Sequence, residues 1–202
     1  MTDHFMTTAP PVADIPSMTV DTYRRLAESG AIAEGTPLEL LGGVLVLKDR
    51  RDGGGDVMTV GRRHAAAIRR LERLLSDAVG GRLFVVQSRL PVVVDDESAP
   101  EPDVALLSGR VEDYDQREPT AADVVLLIEV ADGSLAYGRG RKRTRYQAAG
   151  IRDYWVLNLQ NDTLEQYPDG PTPAVVDPIE TGEVSVLFVG ETVSVERMFP
   201  PA

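Results

Sequence analysis

Cysteine is absent from the 202-residue chain, which excludes disulfide staples and thiolate metal sites. Lysine is almost absent: Lys48 and Lys142 stand against 19 arginines. No stretch approaches the roughly 20 uninterrupted apolar residues of a membrane span. The first residues, MTDHFMTTAPPVADIP, lack a basic region followed by an apolar one, so they do not read as a secretory signal. Positive charge is in deficit too. A net charge of −11 argues against nonspecific coating of nucleic acid, which needs a basic surface. These absences leave, as the expectation, a cytoplasmic protein with no membrane and no disulfide partner.

What is present is an ordinary globular composition, 43% hydrophobic, in a length that suits one domain with a proper core. The Pro-, Thr- and Ala-rich start predicts a loose tail over 1–15 and a single domain over 16–202. Charge is bunched. Asp95, Asp96, Glu97 and Glu101 form one acidic cluster, and Glu112, Asp113, Asp115 and Glu118 another. Arg62, Arg63, Arg69, Arg70 and Arg73 share one segment; Arg139, Arg141, Lys142, Arg143 and Arg145 share a second.

Thr19 is a suitable N-cap for a helix over 20–29, which Gly30 stops. Residues 38–47 read as a hairpin turning at Gly42-Gly43. The stretch 49–56, DRRDGGGD, predicts a loop; its glycines lack the Lys and Ser/Thr of a phosphate-binding loop. Over 61–79, Ile68, Leu71, Leu74, Leu75 and Ala78 recur at three- and four-residue steps, the stripe of an amphipathic helix. Strands are predicted at 83–87, 90–94 and 103–107, and at 124–130, whose continuous apolar run suits a sheet centre. A helix over 138–149 leads to strands at 154–159, 163–167, 184–189 and 192–195. This order predicts an α/β fold in which one mixed sheet carries the helices.

Two carboxylates punctuate the apolar strands. Asp103 follows Pro102 at the head of one strand, and Glu129 sits late in the central one, 26 residues on. A carboxylate in a buried strand is unfavourable unless paired, protonated or bound to a cation. On neighbouring strands the pair would form a hard oxygen site of the kind Mg²⁺ takes. Such an ion activates water and balances charge on a phosphate. The plainer alternative makes Asp103 a turn cap and Glu129 an exposed strand-end charge.

LELLGGVLV (38–46), His64 at the head of the long helix, APEPDVALL (99–107), VLLIEVADGS (125–134), RKRTRYQAAGIRDYWVLN (141–158) and GETVSVERMF (190–199) occur in that order. Together they resemble the Uma-two family, a large bacterial group with a PD-(D/E)xK nuclease-like fold, from about Thr19 to the C-terminus. The resemblance implies a restriction-endonuclease-like core, a mixed sheet flanked by helices, with an N-terminal helix and hairpin. It implies a Mg²⁺- or Mn²⁺-dependent endonuclease acting on DNA, with Asp103 and Glu129 as metal ligands. The usual Glu-x-Lys is absent, because position 131 is Ala. Lys142 matches the family's lysine on the following helix and would hold or deprotonate the attacking water, or steady the phosphate charge. Glu39 matches an acid of the family's early segment and joins the catalytic set. Gln87, His64 and Tyr146 match accessory positions, Tyr146 four residues after Lys142 on the same helix face. Arg139, Arg141, Arg143 and Arg145 are candidate phosphate contacts, although a solvated helix face explains most of them equally well. Cutting both strands usually takes two sites, so a homodimer is expected.

Three departures from the family pattern bear on activity. Gly42 and Gly138 stand where the family carries Asp, and Asp153 opens the usual Glu-Tyr-Trp. The two missing acids and the acidic net charge support a rival reading, a degenerate nuclease-fold module that binds nucleic acid or a protein. A third reading makes Glu129 and Lys142 a buried structural ion pair.

Overall fold

The computed structural model describes residues 17–48, 61–132, 138–167, 174–176, 182–186 and 189–201. The expected tail over 1–15 and the loop over 49–56 lie outside the described residues. Helix α1, Val20–Glu28, starts on Thr19, whose Oγ1 accepts from the Thr22 amide. The hairpin follows as β1 (Leu38–Leu41) and β2 (Val44–Leu47), turning through Gly42 and Gly43 at φ of 59° and 72°. Two successive left-handed residues suit a tight hairpin, and glycine adopts them without a Cβ clash.

Helix α2, Arg62–Val79, buries Ala67, Ile68, Leu71, Leu74, Leu75 and Val79 along one stripe. Beneath it lies a six-stranded sheet in the order β3 (Phe84–Gln87), β4 (Val104–Ser108), β5 (Val124–Ala131), β6 (Tyr154–Asn158), β7 (Thr163–Tyr167), β8 (Ala174–Val176). Strands β5 and β6 are parallel, and the other neighbours are antiparallel. The β5–β6 crossover contains a π-wound turn, Gly138–Lys142, continuing into α3, Arg143–Ala148. A separate hairpin of β9 (Glu183–Val186) and β10 (Glu191–Ser194) follows.

Strand side chains alternate between faces, and β5 sorts accordingly. Leu126, Ile128 and Val130 join α2 and the β9–β10 hairpin in one core. Leu127 and Ala131 join Tyr146, Ile151, Tyr154 and Val156 in the other. Glu129 is in phase with Leu127 and Ala131, so it faces the side that α3 covers.

Residues 90–94 form no ladder strand, contrary to expectation; Val93 makes a single bridge to Thr120. Arg89 turns the chain away at φ 57°, and Pro91 has no N–H to give a ladder. Val92 and Val94 are buried all the same, which produces the alternation that reads as a strand. The helix expected over 138–149 begins π-wound, and β8 adds an edge strand beyond those the sequence predicts. Residues 96–99 stitch the first hairpin down. The Gly43 amide donates to the Glu97 carbonyl at 2.8 Å, the Ala99 amide to the Leu40 carbonyl at 2.9 Å, and the Gly42 amide to Ser98 Oγ at 3.0 Å. That seam carries Glu39 to the approach of β4.

Candidate active site

Val104 pairs with Ile128, so Asp103, one residue earlier, comes beside Glu129, one residue later. Asp103 Oδ2 accepts the Val130 amide at 2.8 Å and lies 3.2 Å from Nε2 of His64, in the first turn of α2. Glu129 Oε1 accepts from Lys142 Nζ at 3.0 Å and from the Tyr146 hydroxyl at 3.1 Å. Lys142 Nζ also donates to the Glu101 carbonyl at 3.2 Å and lies 3.1 Å from Glu39 Oε2. An ammonium has three donors, and here three protein oxygens surround it. Glu39 Oε2 in turn accepts the Glu101 amide at 3.1 Å, while the Glu101 side chain pairs with Lys48.

Thus Asp103, Glu129, Lys142 and Glu39 come together, with His64 and Tyr146 each touching one of the carboxylates. Gln87 does not join them; its amide donates to the Leu90 carbonyl at 3.5 Å, inside the turn after β3. Arg143 lies over the Tyr167 ring, 4.8 Å from its centroid. Arg145 lies 3.6 Å from Asp95 and fills the space where a side chain at Gly42 would stand, the position of one missing acid. Arg141 is exposed, and the side chain of Arg139 lies outside the described residues. Glu101 was not singled out in the sequence, because its role runs through its main chain. Its place two residues before Asp103, in APEPD, was the available signal.

Burial pushes the Glu129 carboxyl up to about 7, against the pull of Lys142 and with help from Asp103 and Glu39. For Lys142, burial opposes the charge, but Glu129, Glu39 and Asp103 outweigh it, and the ammonium is held more firmly than usual. Burial also disfavours the Asp103 carboxylate, yet His64, the Val130 amide and Lys142 together keep its pKa below 3.8. At His64, burial works against protonation and the neighbouring Asp103 overcomes it, leaving the imidazole above 6.5.

A divalent cation fits part of this arrangement. Glu129 and Glu39 share the Lys142 ammonium, and Asp103 stands beside Glu129 across the strands. No donor among the described residues reaches Asp103 Oδ1 or Glu129 Oε2. Two hard oxygens suit Mg²⁺, which keeps several waters rather than demanding an all-protein cage. Among the described residues no group of three or more His, Asp or Glu side chains is arranged to hold a metal.

A mixed sheet flanked by helices is the architecture of the restriction-endonuclease-like class. The chain belongs to the Uma2 family, whose sequence model, described as "Putative restriction endonuclease", matches residues 22–200. Its fold is similar to the crystal structure of "a putative nuclease belonging to DUF820" from Anabaena variabilis ATCC 29413. The TM-score is 0.68 at 15% identity, over 90% of this chain and 97% of that one. No curated protein matches the chain. No helix among the described residues is long and apolar enough to cross a membrane.

Proposed function

We propose that the chain is a divalent-metal-dependent endonuclease that hydrolyses DNA phosphodiester bonds by attack of an activated water. The observation that carries the reading is the meeting of Asp103 and Glu129 beside Lys142, each carboxylate keeping one oxygen that no donor among the described residues reaches. The family description, a restriction endonuclease, supports DNA as the substrate class.

Asp103 Oδ1 and Glu129 Oε2 would hold Mg²⁺ or Mn²⁺, which activates water and neutralises phosphate charge. The protein's own contribution is preorganisation. Asp103 is locked by the Val130 amide and His64, and Glu129 by Tyr146 and Lys142. Lys142 stays protonated, so it serves as a fixed positive charge beside the phosphate, not as a base. Glu39 and the Glu101 carbonyl set where that charge sits. The reading includes a single domain over 16–202, a homodimer for double-strand cutting and a cytoplasmic setting.

A second reading has its own observation: all three donors of Lys142 have protein acceptors, as a structural ion cluster requires. Cleavage of supercoiled plasmid and of single-stranded DNA in Mn²⁺, with Glu129→Gln beside the native chain, separates the two. Cleavage by the native chain alone is the expected result. A folded native chain that cuts neither substrate sinks the nuclease reading in favour of the structural cluster.

A further inference from the structure

We propose that Arg89 is the phosphate-binding residue of this site, taking backbone phosphate oxygens of DNA beside Asp103. This inference rests on the nuclease reading and deepens it. Register places the residue. Gln87 pairs with Ala105 at the end of the ladder, and two residues further on the Arg89 amide donates to the Pro102 carbonyl at 3.1 Å, which sets Arg89 beside the chain that leads into Asp103. Arg89, Asp103 and Glu129 therefore form a row across the ends of β3, β4 and β5.

Its backbone is unusual. Arg89 has φ 57°, and Asp162 is the other non-glycine with positive φ among the described residues. Aspartate tolerates that region in turns, whereas a long side chain gains nothing local from it. Strain of this kind is retained where the surrounding structure imposes it, and it clusters at functional sites.

Its side chain is unusual too. The other half-buried arginines are engaged: Arg63 with Asp162, Arg70 with the Arg197 carbonyl, Arg143 with the Tyr167 ring, Arg145 with Asp95. Half-buried Arg89 has no ion-pair or hydrogen-bond partner for its guanidinium among the described residues, although carboxylates stand next to it in the row. A guanidinium is a planar, permanently charged fork that matches two phosphate oxygens. Held beside a metal-binding carboxylate and, among the described residues, spent on no acid, it fits a phosphodiester.

The test is binding of fluorescently labelled duplex DNA in EDTA, where no cut is made, titrated over a range of salt concentrations. Arg89→Gln and Arg89→Gly are compared with the native chain and with Arg73→Gln, which removes an exposed charge from α2. Loss of a charge-assisted contact predicts binding weaker by about ten-fold for both Arg89 variants. The salt slope falls by about one, and Arg73→Gln behaves as native. Glycine accepts the left-handed backbone, so the Arg89→Gly unfolding temperature stays within about 3 °C of native. Native affinity and slope in Arg89→Gly overturn the proposal, as does weak binding that accompanies a fallen unfolding temperature. A native chain that binds no DNA overturns the nuclease reading together with it.

Discussion

Lys142 Nζ meets Glu129 Oε1 at 3.0 Å from 13 residues away in sequence. It reaches that point because the π-wound turn Gly138–Lys142 sets the phase of the helix that follows; insertions of this kind are frequent at functional sites. With Glu39 at 3.1 Å on the same ammonium, one buried cation holds two buried acids in place. Lys142→Met strips both of their counter-charge. Removal of one partner of a buried pair typically costs about 3–5 kcal/mol, and that loss is expected in urea denaturation at pH 8. The loss should shrink at pH 5, where the Glu129 carboxyl binds its proton. An equal loss at both pH values would contradict the role of Lys142 as their counter-ion.

Glu129 gives stability a direction in pH. Its folded pKa, about 7, lies above the ordinary 4.5, so the folded state binds the proton more tightly than the unfolded chain. Its contribution is fully present below about 4.5 and is lost as pH rises through 7, up to roughly 3 kcal/mol across that window. Glu129→Gln, always neutral, should flatten this part of the stability curve. The same proton couples to the cation. Mg²⁺ needs the ionised carboxylate, so calorimetry in buffers of different ionisation heat should register proton release on Mn²⁺ binding at pH 6 and little at pH 8. Glu129→Gln should register none.

The regular frame was legible because it obeys simple periods. Leu71, Leu74 and Leu75 announce α2, and the unbroken run before Glu129 announces a strand covered on both faces. The site was legible in part. Asp103, Glu129, Glu39 and Lys142 come together as their resemblance implies, but the spacing of Asp103 and Glu129 alone fits a turn cap and a strand-end charge equally well. Their adjacency depends on the register of Val104 with Ile128, which no local pattern encodes. Three features escaped for the same reason. The apolar alternation of 90–94 reflects burial against the β4 and β5 side of the sheet, not pairing. Glu101 acts through its amide and carbonyl, which every residue possesses. Arg89 is distinguished by its backbone angle and by the partners it lacks among the described residues, neither of which is written in its side chain.

Tyr146 is the hinge between the second core and the site. Its ring is fully buried and lies 5.2 Å from that of Tyr154, while its hydroxyl donates to Glu129 Oε1 at 3.1 Å. Tyr146→Phe keeps the packing and removes only the donor. Loss of a hydrogen bond to a charged acceptor should lower stability by about 1.5–3 kcal/mol. In a double-mutant cycle with Glu129→Gln the two effects should fall short of additive by at least about 0.5 kcal/mol, as contacting residues do. Additivity would mean that the hydroxyl stabilises something other than Glu129.

The hairpin that delivers Glu39 makes a sharper test, because its two glycines differ. A Cβ at Gly42 would meet the Arg145 guanidinium, the far end of a flexible side chain that can swing aside. A Cβ at Gly43 would stand 2.5 Å from Ser17 Cβ and 3.0 Å from Ser17 Cα, against backbone that the Met18 amide fastens to the Gly43 carbonyl at 2.9 Å. Both positions are left-handed, at φ 59° and 72°, so both alanines carry the backbone penalty of about 1 kcal/mol. Gly43→Ala must also displace main chain, which adds about 1–3 kcal/mol as overpacking does. Denaturant midpoints should therefore rank native above Gly42→Ala, and Gly42→Ala well above Gly43→Ala. Because β1 carries Glu39 to Lys142, any displacement at Gly43 reaches the ammonium. Gly43→Ala should accordingly lose DNA cleavage at temperatures where Gly42→Ala keeps it. The opposite ranking would place the strain at Arg145 and free Glu39 from dependence on the hairpin seam.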